Sequence, residues 1–164
     1  MRAHDMAIHE DAAVRINAVL QHFLEESSAV DALLIDRSGQ LLAQGGCDRD
    51  IDTVSLSALA AGAFSSTAAM ARLVGEPEFT MLFHQGVHEN IHVTAVDEHA
   101  ILLALFDSRT TVGMVRLFAR EASTAIGAIL AASRARPRPA GELQPPLTLA
   151  PGQPLFEQRS PQAR

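Results

Sequence analysis

The sequence contains a seven-residue run, Ala100–Phe106 (AILLALF), in which every residue is apolar. The run has the length of a β-strand and is short for a helix. Successive side chains of a strand point to opposite sides of the sheet, so a strand that is apolar throughout must be covered on both faces. The run therefore predicts the central strand of a sheet that lies between layers of helices.

Hydrophobic periodicity and turn residues divide the rest of the chain into further helices and strands. Asp52 is the predicted N-cap of the second helix, and Gly75 is its predicted C′ residue. The elements predict an α+β fold in the order α-β-β-α-β-β-β-α, with a five-stranded antiparallel sheet sandwiched between helices. The predicted helices span residues 9–27, 53–74 and 111–133, and the predicted strands span residues 32–36, 41–45, 79–85, 90–96 and 100–106.

The prolines separate a folded part from a tail. Seven of the eight prolines lie at position 137 or later. A segment with so many prolines propagates neither a helix nor a central strand. We therefore predict an N-terminal extension at residues 1–8, one domain at residues 9–133 and a proline-rich disordered tail at residues 134–164.

Charge and composition exclude several classes of function. The net charge is −6; the residues after Ser133 carry about +3, so the rest of the chain carries about −9. An acidic body argues against binding to a phosphate backbone. The chain has a single cysteine, its first residues lack the apolar core of a signal peptide, and it contains no run of about 18 continuous apolar residues. We predict a cytoplasmic protein with no membrane span and no nucleic-acid partner.

Motifs of common active sites are missing from the sequence. It contains no GxxxxGK[ST] motif, no GxGxxG motif after a strand and no GxSxG motif. His84, His88 and His92 are spaced four residues apart, but this spacing runs through a strand, a turn and a second strand. At most His84 and His92 are expected to lie across the hairpin, which is too few ligands for a zinc site.

The acidic loop before the second helix is expected to be structural. Cys47 lies there among carboxylates that disfavour a reactive thiolate. Asp48, Asp50 and Asp52 start like a calcium loop, but the required Gly and Glu do not follow, so they are interpreted as a solvated loop and a helix cap. We predict no metal, no cofactor and no active site.

The second helix is unusual because no charged residue lies between Asp52 and Arg72. On a helical wheel, the predicted core side consists of Leu56, Leu59, Ala60, Ala63, Thr67, Met70 and Val74. The opposite side consists of Ala58, Ala61, Gly62, Ser65, Ser66, Ala69 and Arg72. Small side chains allow another backbone to approach closely, and Gly62 costs about 1 kcal/mol relative to alanine within a helix. The pattern favours a helix that contacts a neighbour; burial by its own chain and a compositional bias toward alanine are the alternatives.

Several segments resemble one known family. The order of elements is similar to the Roadblock/dynein-light-chain fold. Within that fold, the segments IDTVSLSALAAG (residues 51–62) and FDSRTTVGMVRL (residues 106–117) resemble the MglB group of bacterial GTPase-activating proteins. The resemblance covers about residues 10–133. It departs from the group in the tail, where relatives place a helix on the GTPase and this chain is rich in proline.

The resemblance implies a homodimer with an extended sheet. In the family, two central helices pack against each other and two five-stranded sheets join edge to edge through residues 79–85. The implied dimer-interface residues are Leu59, Phe64, Ala68, Phe79, Met81 and Phe83. The helix would also meet a GTPase at Ser65 and Ala69, with Ala61, Gly62, Ser66 and Arg72 as neighbours on that face.

The resemblance further implies the activity. The protein would bind the GTP form of MglA, a small Ras-like GTPase, with one GTPase per dimer, and would stimulate hydrolysis without an arginine finger. It would do so by reshaping the switch region, so that the GTPase's own Arg and Gln reach the phosphate. This activity implies a role in cell polarity or gliding motility and a concentration at a cell pole. The alternatives are a Roadblock scaffold that binds a GTPase or polarity protein without stimulating hydrolysis, and an enzyme that uses His84 and His92.

Overall fold

A computed structural model describes residues 10–46 and 49–135. The predicted order of elements is confirmed. The third strand begins two residues later than predicted, and the last helix ends two residues later. The predicted extension and most of the predicted tail lie outside the described residues, so these two predictions stay open. The elements are α1 (Glu10–Ser27), β1 (Asp31–Asp36), β2 (Leu41–Gly45), α2 (Thr53–Leu73), β3 (Met81–Gln85), β4 (Asn90–Ala95), β5 (Ala100–Phe106) and α3 (Val112–Ala135).

The five strands form one antiparallel sheet in the order β2-β1-β5-β4-β3. Strand β5 is the central strand and all seven of its residues are buried, as its apolar sequence predicts. Six of its seven residues pair with β1, where Leu103 lies opposite Leu33. The edge strands β2 and β3 carry more exposed residues.

The sheet separates two apolar cores. Helices α1 and α3 cover one face, where Leu34, Leu102 and Phe106 pack beneath them. Helix α2 covers the other face, which presents mainly large aliphatic side chains from the central strands. The predicted sandwich of a sheet between helices is therefore confirmed.

The turn between β1 and β2 lies against α2. Asp36 accepts hydrogen bonds from the backbone of Ser38 and of Gln40, both at 2.9 Å, which closes the turn. Gly39 has a φ of +96°, and a Cβ atom at this position would lie 2.9 Å from the Cα atom of Ala58. The turn therefore needs glycine both for its backbone conformation and for its close approach to the helix.

Arginine side chains connect segments at the ends of the sheet. Arg37 donates from Nη2 to Glu78 Oε1 at 2.9 Å and to the carbonyl oxygen of Asp97 at 3.1 Å. Arg49, which precedes α2, pairs with the buried carboxylate of Asp31 at the start of β1. These contacts hold both ends of α2 against the sheet.

Candidate functional site

Helix α2 has well-defined ends. The carboxylate of Asp52 accepts from the backbone N–H of Ser55 at 3.0 Å, so the predicted N-cap is confirmed. The Ser55 hydroxyl and backbone N–H lower the pKa of Asp52. At the other end Gly75 has a φ of +81° and follows the C-cap residue Val74, which confirms the predicted C′ glycine. The helix therefore stops sharply before the segment that leads to β3.

The buried face of α2 differs from the predicted core side. Leu59 is 71% exposed and Met70 is 52% exposed, so their predicted burial is wrong, as is that of Val74. The sheet beneath the helix already supplies large aliphatic side chains, so a close-packed interface takes small residues from the helix, with one phenylalanine. The buried residues are Ser57, Ala60, Ala61, Phe64, Thr67 and Ala71.

Hydroxyl groups on the helix bond to its own backbone. Thr67 donates to the carbonyl of Phe64 at 2.6 Å, a bond that hydroxyl side chains within helices commonly make. Ser57 donates to Thr53 at 2.7 Å, and the exposed Ser66 donates to Gly62 at 2.9 Å. These bonds satisfy the hydroxyl donors without solvent, so the helix can present Ser66 to a neighbour at little desolvation cost.

The outward side of α2 is a continuous stripe without charge. Its members recur at alternating spacings of three and four residues, which places them one above another on a helix. Leu73 is 87% exposed and Leu59 is 71% exposed. An uncharged exposed helix face with large apolar side chains is typical of an interaction surface. We call the set the α2 stripe: Ser55, Leu59, Gly62, Ser66, Ala69 and Leu73.

The predicted GTPase-contacting residues divide into two groups. Gly62, Ser65, Ser66, Ala69 and Arg72 are all exposed on α2. Ala61 is only 3% exposed and packs in the core beneath the helix, so its predicted place on the outer face is wrong. The helix is rotated relative to the predicted wheel because Phe64 points into the sheet.

The predicted dimer-interface residues also divide. Leu59 is exposed, and Ala68, Phe79 and Met81 are half-buried. Phe83 is half-buried as well and stacks on the ring of Phe106 with 6.1 Å between ring centroids, whereas Phe64 is 1% exposed and packs in the core beneath α2. Of these six residues, only Phe64 is therefore excluded from an outer surface.

The apolar stripe contains residues that the sequence pattern did not single out for a surface. Leu73 lies at its C-terminal end, and Val54, which is 72% exposed, lies beside its N-terminal end. A wheel centred on Phe64, the largest apolar residue of the helix, places Leu73 opposite Phe64 on the outer side and Val54 about 80° from Phe64 on the flank. The available signal was therefore side-chain volume rather than the number of apolar residues on each face.

The histidines do not form a site. His84 pairs with Ile91 and His92 pairs with Phe83, so His84 and His92 occupy adjacent register positions and point to opposite faces of the sheet. His84 is exposed, whereas His92 is buried beneath α3. The hypothesis of an enzyme that uses both residues is therefore wrong. Within residues 10–46 and 49–135, no group of three or more His, Cys, Asp or Glu side chains could hold a metal ion.

Two residues of the predicted acidic loop, Cys47 and Asp48, lie outside the described residues. In the described part of the chain, α2 is the one helix that is long and apolar enough to cross a membrane. The core helix of a soluble domain meets the same criteria, and α2 packs on the sheet along its length. Its hydropathy is explained by an apolar face toward the core and an outward face of small uncharged residues and leucines.

The order of elements and the sheet order define a Roadblock-type domain. The family model described as Roadblock/LC7 domain matches residues 15–106, more than half of the chain, and the chain belongs to this family. The fold of this family is a regulatory one. No curated protein matches the sequence.

Among solved structures, the chain is similar to MglB proteins. It is 36% identical to Myxococcus xanthus MglB, with 71% of this chain and 95% of that chain covered and a TM-score of 0.68. It is 32% identical to the gliding protein MglB from Thermus thermophilus, with coverages of 80% and 99% and a TM-score of 0.75. A structure of MglB with a tetrameric arrangement is 30% identical, with coverages of 80% and 99% and a TM-score of 0.77.

Proposed function

We propose that this protein is a cytoplasmic homodimer that binds the GTP form of an MglA-like small GTPase and stimulates its hydrolysis. The observation that carries the proposal is the α2 stripe, an uncharged helix face left exposed on a domain that is 30–36% identical to MglB proteins. Because the chain is this similar to MglB proteins, an exposed uncharged surface on its central helix supports the two interactions expected of that group, dimerisation and GTPase binding.

The energetics of the α2 stripe support a neighbour. Burial of a leucine side chain contributes about 1.5–3 kcal/mol relative to exposure. Leu59 and Leu73 leave this contribution unused in the protomer. The small residues between them allow a second backbone to come close, and they lose little side-chain entropy on burial. A partner that covers the α2 stripe would therefore bury the two leucines at a small cost in side-chain entropy.

We propose that two kinds of contact share this region. In the dimer, α2 packs against α2 of the second protomer through Leu59, and β3 pairs at its free edge with its counterpart. Phe79 and Met81 lie at that edge. The GTPase then meets residues Gly62, Ser65, Ser66, Ala69 and Arg72, with one GTPase per dimer.

The proposed activation supplies no catalytic group. The GTPase switch region would bind the α2 surface best in the conformation that brings the GTPase's own Arg and Gln to the γ-phosphate. Binding energy that favours this conformation increases its population, and transition-state charge is then stabilised in cis. Through this GTPase, the protein would act in cell polarity or gliding motility, and we expect it to be concentrated at a cell pole.

Single-turnover GTP hydrolysis by the MglA-like GTPase of the same organism tests the proposal. We expect the rate constant to rise when this protein is added and to saturate at one GTPase per dimer. As a control, a GTPase that lacks its own catalytic glutamine should bind this protein but show no acceleration. A complex that forms with the unaltered GTPase but leaves its hydrolysis rate unchanged would identify the protein as a scaffold instead.

A further inference from the structure

A second surface lies on the opposite side of the sheet from α2. Helices α1 and α3 run antiparallel there: Asp11 lies near Ser133, and His22 lies near Phe118. Between the C-terminal half of α1 and the N-terminal half of α3, a groove of about 340 Å³ opens at the surface. This groove, which we call the α1/α3 groove, takes no part in the proposed dimer or GTPase contacts.

The α1/α3 groove is apolar inside and polar at its rim. Val19 and Phe23 line it from α1, and Phe118 and Ala122 line it from α3. The polar lining residues are His22 and Glu121. The volume is within the range of sites that hold a ligand or a few side chains, about 300–1,000 Å³. A groove with this lining suits a short apolar segment with a basic neighbour.

We propose that the chain's own C-terminal segment, residues 154–159 (PLFEQR), docks in the α1/α3 groove. Leu155 and Phe156 form an adjacent pair of large apolar side chains, and Phe156 is the one aromatic residue that follows Phe118 in the sequence. Pro154 restricts the backbone before them, which lowers the entropy lost on docking. The proposal is independent of the GTPase-activating function.

The length of the connecting chain fits this docking. Helix α3 ends at Ala135, and the groove begins near Phe118, 17 residues earlier in the same helix. At 1.5 Å per residue the distance along the helix is about 26 Å. Leu155 follows Ala135 by 20 residues, and a proline-rich linker, which is extended at about 3.1 Å per residue, reaches up to about 60 Å over that length. The linker is therefore long enough for the segment to reach the groove, and tethering raises the effective concentration of the segment there.

Charge favours the same occupant. Residues 136–164 contain four arginines and two glutamates, so they carry +2 of the total of −6 and leave −8 on residues 1–135. Glu121 lies at the groove, and Glu25 and Glu26 occupy the next turn of α1 beyond His22. Arg159 follows Phe156 by three residues and would approach these carboxylates. A second copy of the domain would bring a net negative surface to the same place.

Site-specific photo-crosslinking in the full chain tests the proposal. The variant Phe156→p-benzoylphenylalanine is prepared in isotopically light and heavy forms, which are unfolded together and refolded before irradiation, so that dimers with one light and one heavy protomer form. We expect crosslinks to peptides of α1 and α3 that line the groove, and only between peptides of the same isotopic form. Crosslinks between light and heavy peptides would mean that the tail binds a second protomer, which would overturn docking within one chain. Crosslinks elsewhere, or none, would mean that the segment does not dock in the groove.

A pair of groove variants sharpens the test. Ala125 lines the groove and is exposed, so Ala125→Glu should lower the crosslinking yield about tenfold. Ala128 is also exposed on α3 but does not line the groove, so Ala128→Glu is the matched control and should keep the yield. Equal yields for the two variants would overturn the proposal.

An independent readout uses the unmodified tail. The ring of Phe156 should shift the NMR signals of the Val19 and Ala125 methyl groups, so Phe156→Ala should move both signals. The matched control Leu147→Ala changes an apolar tail residue outside the docking segment and should leave them in place. Signals that respond equally to both substitutions, or to neither, would contradict specific docking of residues 154–159.

Discussion

The guanidinium group of Arg37 lies over the ring of Phe64, with its Cζ atom 4.8 Å from the ring centroid. This contact covers the one large side chain that α2 sends into the sheet, and the same guanidinium bonds to Glu78 beyond the helix. We expect Arg37→Ala to lower the free energy of unfolding by about 1–2 kcal/mol, because it removes the cation–π contact and exposes the ring edge. Urea denaturation measures the change.

The matched control for Arg37 is Arg109→Ala. Arg109 pairs with Asp107 on the surface and covers no aromatic ring in the described part of the chain. Exposed ion pairs contribute little to stability, so the free energy of unfolding of this variant should be close to that of the unaltered protein. Equal destabilisation by both substitutions would show that loss of any arginine, rather than the contact with Phe64, is responsible.

His92 should make the fold sensitive to acid. It is 1% exposed, neither ring nitrogen has a hydrogen-bond partner among the described residues, and burial, together with the charge of Arg116, lowers its pKa from 6.5 to about 4. Below pH 6.5 the unfolded chain binds a proton that the folded chain resists, so stability falls as the pH drops from 6.5 toward 4. We expect a loss of about 2 kcal/mol from this residue between about pH 7.5 and pH 5.

Unfolding curves at the two pH values test the role of His92. The free energy of unfolding of His92→Leu should fall less between pH 7.5 and pH 5 than that of the unaltered protein. The difference is the contribution of this histidine, since leucine does not titrate. His84 lies on the same hairpin but is exposed, so His84→Leu should keep the loss. An unchanged pH dependence in His92→Leu would assign the acid sensitivity to other groups.

Gly62 separates protomer stability from association. A Cβ atom at this position would meet nothing within 4 Å in the protomer, so Gly62→Ala should raise the free energy of unfolding of the isolated protomer by about 1 kcal/mol. If a second backbone packs on the α2 stripe as proposed, the added methyl group should weaken dimerisation or GTPase binding. Association is measured by analytical ultracentrifugation and GTPase titration, with Ala128→Ser on the exposed side of α3 as the control that should associate normally. Tighter or unchanged association of Gly62→Ala would contradict the proposal.

We expect substitution by alanine to lower the stability of the fold by different amounts at Gly39 and at Gly75. Both have positive φ angles, but only Gly39 would place a Cβ atom against the backbone of α2, 2.9 Å from Ala58 Cα. Gly75→Ala should cost about 1 kcal/mol, from the backbone conformation alone. Gly39→Ala should cost more, because the turn must also move away from the helix. Thermal unfolding of the two variants compares the costs; a smaller effect at Gly39 would contradict the close approach.

Ala69→Arg tests the proposed GTPase surface. Ala69 is exposed within the α2 stripe, so arginine is expected to leave the fold intact and to block GTPase binding through its bulk and charge. The binding constant is measured by titration with the GTP-loaded GTPase. Ala128→Arg, on the exposed side of α3, is the control and should bind normally. Undiminished binding by Ala69→Arg would remove this face from the proposed interface.

The order of the elements was predictable because local patterns determine it. The apolar run of β5, the Asp52 cap, the Gly75 stop and the positive φ of Gly39 each follow from the chemistry of a few neighbouring residues. The resemblance of residues 51–62 and 106–117 to MglB segments added the family. The start of β3 was less predictable, since residues 79 and 80 have strand-like sequences but the strand begins only at Met81.

The orientation of α2 was not predictable from its own sequence. Its apolar residues are spread around the helix, so a wheel does not show which side faces the sheet. Ala61 and Phe64 lie in the core and Leu59 and Met70 lie outside, because the sheet beneath already provides the large side chains. The space between the sheet and the helix thus determines that mainly small residues of α2 face the sheet.

The sequence by itself determined the elements, their order, the central strand and the uncharged character of α2, because these depend on residues that are neighbours along the chain. Only the tertiary structure decided which side of α2 is exposed, that Arg37 covers Phe64, that His84 and His92 point apart and that α1 and α3 leave a groove. Each of these relationships joins residues on different elements, where volume and register across a packed interface determine the outcome.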